Sequence, residues 1–114
     1  MDFLKFLAYA DQALKETHEK LEDSIELYGQ CAEQYADDFI AYRKEKSRLT
    51  KDYRDKGEKA TNIKAMVDGD SAEFKHKLLL SEYQKKKVEM LINAYELRIQ
   101  TIKFMGKKID PDRQ

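Results

Sequence analysis

The densest run of side chains capable of chemistry is Arg43-Lys44-Glu45-Lys46-Ser47-Arg48-Leu49-Thr50-Lys51-Asp52-Tyr53-Arg54, with six bases against two acids in twelve residues. On a helix, Lys44, Arg48 and Lys51 stand at i, i+4 and i+7 and share a face. Lys56, Lys59 and Lys64 carry the positive charge onward, and Lys75, Lys77 and Lys85-Lys86-Lys87 add to it from later in the chain. Point charges at such intervals suit backbone phosphates, and aromatic rings such as Tyr42 and Tyr53 could stack unpaired bases. The same pattern also describes a solvated helix face. Tyr42 and Tyr53 fall on an apolar seam, which favours packing for them over stacking.

Catalytic chemistry has no comparable footing. There is no His-Cys pair at motif spacing, no Gly-rich phosphate loop, no H-E-x-x-H run and no G-x-S-x-G elbow. Neighbouring acids such as Glu22-Asp23 and Asp37-Asp38 point about 100° apart on a helix and read as a solvated acidic face. Asp68-Gly69-Asp70 resembles a fragment of a calcium loop, but the twelve-residue ligand pattern is missing and a turn is expected. One cysteine, Cys31, and two distant histidines, His18 and His76, cannot build a structural zinc site or a disulfide framework. The expectation is a non-enzyme with no catalytic residue, no metal and no cofactor. His18 reads as a register-setting polar residue, His76 as exposed and Cys31 as a small residue near the seam. The lone thiol fits a reducing compartment.

Twenty-two Lys+Arg balance twenty-two Asp+Glu, but the balance is a sum of unlike parts. Residues 1–40 hold three lysines against ten acids, net −7, and residues 41–114 hold nineteen bases against twelve acids, net +7. A split of this kind predicts a basic surface for a polyanion and an acidic one for something else. No apolar run approaches the roughly 18–20 residues of a membrane span. The apolar start, Met1 to Ala10, lacks a basic lead and meets Asp11 at once, so no secretory signal is expected and a cytoplasmic location is.

What must position the bases is helical. Four Gly and one Pro are too few for a turn-rich sheet fold. Leu7, Leu14, Leu21, Tyr28, Tyr35, Tyr42 and Leu49 recur every seven residues. The series four residues on, Asp11, His18, Ile25, Ala32, Phe39, Lys46 and Tyr53, is taken as its partner line. This predicts one long amphipathic helix over about residues 3–56, about 80 Å long. Gly57 supplies the stop, and Gly29 inside the helix is a possible loose joint. A short connector helix from Glu58 to Val67 follows, then a turn at Asp68-Gly69-Asp70-Ser71, with Asp70 and Glu73 as a capping box. The last helix carries Phe74, Ser81, Val88, Tyr95 and Ile102 on one heptad line and Leu78, Lys85, Ile92 and Ile99 on the other. It is expected to end near Met105-Gly106, with Pro111 closing the tail.

The predicted fold is all-α: a single domain, 1–108, in which two long helices and a connector form an antiparallel helical hairpin or coiled coil. It divides into an acidic arm (1–40), a basic helix and connector (41–67), a C-terminal helix (70–106) and a tail (107–114). Leu7, Leu14, Leu21, Tyr28, Tyr35, Tyr42, Leu49, Ile92 and Ile99 are its seam. A shorter last helix folding back over residues 20–55 would leave Phe3, Leu4, Phe6 and Leu7 uncovered, so burial against another subunit, in a homo-oligomer, is expected.

The layout resembles a known family. Tyr53-Arg54-Asp55-Lys56-Gly57-Glu58-Lys59, a short helix to Val67, an Asp68 turn, then Ala94-Tyr95-Glu96-Leu97-Arg98 and Ile102-Lys103 are similar to the small helical recombination mediators of phages, the UvsY-like proteins. The resemblance covers roughly residues 40–108. It implies a ring-like oligomer that binds single-stranded DNA and helps a RecA-type recombinase displace the single-strand-binding protein. By position, Arg43, Lys44, Lys46, Arg48, Lys51, Arg54 and Lys59 would hold the DNA backbone. The rival expectation is a protein-binding module, such as a coiled-coil scaffold or a phage inhibitor. Its working surface would be the acidic arm, with Glu16, Glu19, Glu22, Asp23 and Glu26 mimicking phosphates.

Overall fold

A computed structural model describes residues 2–109, and within them the chain is three helices with no strand: α1 (Phe3–Asp55), α2 (Ala60–Asp70) and α3 (Ala72–Ile109). Asp2 starts α1 as its N-cap, its carboxylate accepting from the Lys5 backbone N–H at 2.8 Å while its carbonyl accepts from Phe6. Gly57, at φ +79°, ends it. The Glu58 N–H reaches back to the Tyr53 carbonyl and the Gly57 N–H to that of Arg54, the paired bonds that close a helix on a left-handed residue. Gly29 does not interrupt the helix.

Two compact units divide the chain: the first joins α1 up to Gly29 with α3 from Lys87 onward, and the second is Gln30–Lys86. In the first, Phe6, Ala10, Ala13 and Ile102 form the buried cluster with Leu14 packed on it. Phe6 is 1% exposed. This overturns the expectation that the N-terminal turns lie uncovered: α3 of the same chain covers them, and only Leu4 of that group stands out, at 77% exposure. Phe6 thus has its cover within the chain. The fold-back of α3 does not begin at residue 55. In the second unit α2 sits on the last turns of α1 through Leu49, Tyr53, Ile63 and Val67, so α3 meets α1 earlier in the chain, with Lys75 over Tyr42 and Ser81 bonded to Asp38.

Three local expectations also change. Helix α2 runs on through Gly69 to Asp70, so Asp68-Gly69-Asp70 is helix and not turn. The junction with α3 is the single residue Ser71, buried, with its hydroxyl and N–H both directed to the Val67 carbonyl. Asp70 therefore does not cap α3; its carboxylate accepts from the Tyr53 hydroxyl. Helix α3 passes Gly106, where a Cβ would stand 3.3 Å from Phe6 Cε1, so this glycine permits a close approach and is no stop. The role expected of Pro111 lies outside the described residues.

The partner line of α1 also shifts. In the first unit Asp11, His18 and Ile25 are exposed and the inward line is three residues on from the leucine–tyrosine series instead of four, with Ala10, Thr17 and Ser24 buried; in the second Phe39 is exposed, but Ala32, Lys46 and Tyr53 of the expected line are half-buried beside Cys31, Asp38, Glu45 and Asp52. Small side chains there let α3 come close, and Thr17 satisfies its hydroxyl on the Ala13 carbonyl at 2.6 Å. On α3 both heptad lines face inward, with Leu78, Ser81, Val88, Ile99 and Ile102 buried and Phe74, Lys85, Ile92 and Tyr95 half-buried.

Candidate nucleic-acid interface

The bases of the second unit separate into groups according to what surrounds them. Arg48 is occupied: its Nε donates to Glu45 at 3.2 Å and its Nη1 to Asp52 at 3.0 Å. The hydrogen bond from Arg48 holds the Glu45 carboxyl below the usual carboxylate range, against a smaller upward push from burial, and the guanidinium pKa rises in turn. Lys46 stacks over the Tyr42 ring at 5.3 Å and lies 3.9 Å from Asp68. Arg43 covers Phe39 at 5.6 Å. Among the described residues Lys44, Lys51, Arg54, Lys59 and Lys64 form no ion pair, and all five are exposed.

A groove of about 260 Å³ where α2 lies on α1 and an adjoining one of about 330 Å³ on α1 alone share Lys46, Thr50 and Arg54 on their walls. Lys64 of α2 completes the first, and Ser47 and Lys51 the second. Four cations face two acids here, Asp68 and Asp55. The hydroxyl of Thr50 is turned to the Lys46 carbonyl at 2.7 Å. An extended chain of phosphates is the ligand chemistry that such an open, shallow, cation-lined groove suits.

Of the seven residues expected to hold DNA, the structure thus brings Lys46, Lys51 and Arg54 together. Arg48 is tied to two carboxylates, and Arg43, Lys44 and Lys59 do not line the grooves. Lys64, which the positional resemblance left out, joins the group through α2.

No family model, curated protein or solved structure matches the chain.

The tyrosines next to this face are engaged within the chain. Lys46 and Lys75 both lie over the Tyr42 ring, Lys85 lies 4.7 Å over Tyr35, and Tyr53 carries Lys56 at 5.7 Å. Rings used in this way bind the lysines of α3 and of the α1 end by cation–π attraction, and are not laid open to a base. The seam residues Leu7, Leu14, Leu21, Tyr28, Tyr35, Tyr42 and Ile92 are half-buried, while Leu49 and Ile99 are buried.

In the first unit Glu16, Glu19, Glu22, Asp23 and Glu26 are all exposed along α1. His18 and His76 are exposed as well, and Cys31 is half-buried. Among the described residues no cluster of three or more potential metal ligands forms, and no helix is long and apolar enough to cross a membrane.

Proposed function

We propose that this chain is a non-enzymatic, single-stranded-DNA-binding accessory protein of phage homologous recombination, acting in the host cytoplasm to help load a RecA-type recombinase against a single-strand-binding protein. One observation carries the DNA-binding part: Lys51, Arg54 and Lys64, without ion pairs, converge with Lys46 on one pair of grooves. Phosphates would displace water and counterions there, and affinity would come from charge without base reading. Self-association belongs to the same reading, because several subunits on one strand turn weak single contacts into strong binding through effective concentration. The recombinase-loading role rests on the sequence resemblance of residues 40–108 to the UvsY-like mediators.

The test is fluorescence anisotropy of labelled single-stranded DNA over a salt series. The wild-type protein should bind at low salt and weaken steeply as salt rises, and the Lys51→Ala/Arg54→Ala/Lys64→Ala variant should lose most of the affinity. Absence of binding at low salt, or an unchanged triple variant, would overturn the reading. The exposed acids of α1 in the first unit favour a second one, a protein-binding module presenting a phosphate-like row. DNA-independent behaviour in the same experiment would point to it.

A further inference from the structure

Helix α3 is apolar on two faces in the first unit, and only one of them is used. Inward lie Val88, Ile92, Ile99 and Ile102. Outward, Met90, Leu97 and Phe104 are 71%, 63% and 58% exposed, with Ala94 and Thr101, also exposed, between them. The spacing 90, 94, 97, 101, 104 alternates four and three, the period of a seam between two wound helices. Leu91 and Met105, also exposed, widen it on one edge. Scattered surface apolar residues are ordinary, but four apolar residues and Thr101, whose hydroxyl is satisfied on the Leu97 carbonyl at 2.9 Å, in strict 4-3 alternation on one face are the pattern of a helix-binding surface.

We propose that this outer face of α3 pairs with the same face of a second copy of this chain, the two helices running antiparallel. The proposal rests on the self-association in the reading above and gives it a surface; DNA is not needed for it. Complementarity to itself identifies the occupant. In an antiparallel pair the register that sets Ala94 against the partner's Leu97 also sets Thr101 against the partner's Met90, so each small side chain meets a large one, as interdigitating seams require. The same register brings Lys87 to the partner's Phe104, repeating the contact that Lys108 makes with Phe104 inside the chain at 5.5 Å. Being two-fold, the contact closes on itself without propagating into a filament. Asn93 and Gln100 on one edge carry no charge, and Arg98 on the other has no acid at an equivalent edge position. The seam is therefore held by apolar contact, and salt should leave it in place while weakening DNA binding.

The experiment is sedimentation equilibrium of the full chain over a range of concentrations and salt. Twice the 13.5 kDa chain mass is expected as concentration rises, at low and at high salt. Leu97→Lys should restore the single-chain mass with helical circular dichroism unchanged, since Leu97 is outside the core. A second arm, in a Cys31→Ser background, mixes Met90→Cys with Thr101→Cys chains under oxidation and should cross-link the mixture far more than either variant alone. A single-chain mass at every concentration and salt would overturn the proposal, as would a dimer indifferent to Leu97→Lys, or Met90→Cys chains that cross-link to one another as readily as to Thr101→Cys. Failure of DNA binding with the dimer intact would remove the DNA reading and leave this pairing standing.

Discussion

The Tyr53 hydroxyl donates to the carboxylate of Asp70, fastening the last residue of α2 to the end of α1. This bond raises the Tyr53 pKa above its ordinary value of 10.0, with burial and then the charges of Asp70 and Glu58 adding in the same direction. A raised phenol pKa favours the protonated form in the folded state. The contribution to stability is therefore complete below about pH 10 and is lost as pH rises through the higher folded value. Thermal melts across that range should show a falling alkaline limb, shallower in Tyr53→Phe, whose melting temperature should also be lower near neutrality.

Arg48 and Lys51 lie three residues apart, yet opposite outcomes are expected from removing them. Arg48 already has two carboxylate partners, and Lys51 has none among the described residues. Arg48→Ala should change single-stranded-DNA affinity little, whereas Lys51→Ala should weaken it and lower the slope of log affinity against log salt by about 0.7, the value for one phosphate contact on a single strand. A larger loss from Arg48→Ala than from Lys51→Ala would show that the guanidinium leaves its partners for DNA.

Glu45 supplies an acid-side counterpart. Its carboxyl pKa is depressed by the hydrogen bond from Arg48, so its contribution is present above the ordinary carboxylate range and is lost as pH falls through the lower folded value. Melts of Glu45→Gln should fall less between neutral and acid pH than those of the wild type.

Two glycines should respond in opposite ways to alanine. Gly57 has a positive φ, so Gly57→Ala places a Cβ in the left-handed region and should cost about 1–2 kcal/mol. Gly29 is helical with nothing within 4 Å of a built Cβ, and Gly29→Ala should stabilise by about 1 kcal/mol. Urea denaturation of the two variants beside the wild type measures both.

Phe6→Ala should cost about 3–5 kcal/mol through the cavity left against Ile102 and Gly106. Because that cover comes from the same chain, the loss should be equal at low and high protein concentration. A loss that shrinks on dilution would mean that another subunit covers Phe6.

Helix type and number were legible because the apolar residues repeat every seven positions, and the α1 end because Gly57 supplies the one positive φ the chain needs there. The partner line of α1 was not, since hydrophobicity counts credit Ile25 and Phe39 over Ala10, Thr17 and Ser24. Close helix approach selects for small volume, which such counts do not see. Gly69 and Gly106 were read as breaks because glycine is a weak helix former, but its cost of about 1 kcal/mol is small against packing. In the candidate site, the base run was plain, but its working subset was not. The loss of Arg48 to Glu45 and Asp52 could have been read from their i−3 and i+4 spacing. The entry of Lys64 could not, because it depends on which side of α1 receives α2.

The bond between Ser81 and Asp38 has a further consequence for how the chain finds its alignment. Heptad lines are nearly blind to a displacement of one whole repeat, since apolar residues again meet apolar residues. Asp38 is not. A seven-residue slide would set its carboxylate against Phe74 or Val88, leaving Gln34 of its own helix as donor and losing the bond between the helices. This polar contact thus helps index α1 against α3, as a detent holds a sliding scale at a mark.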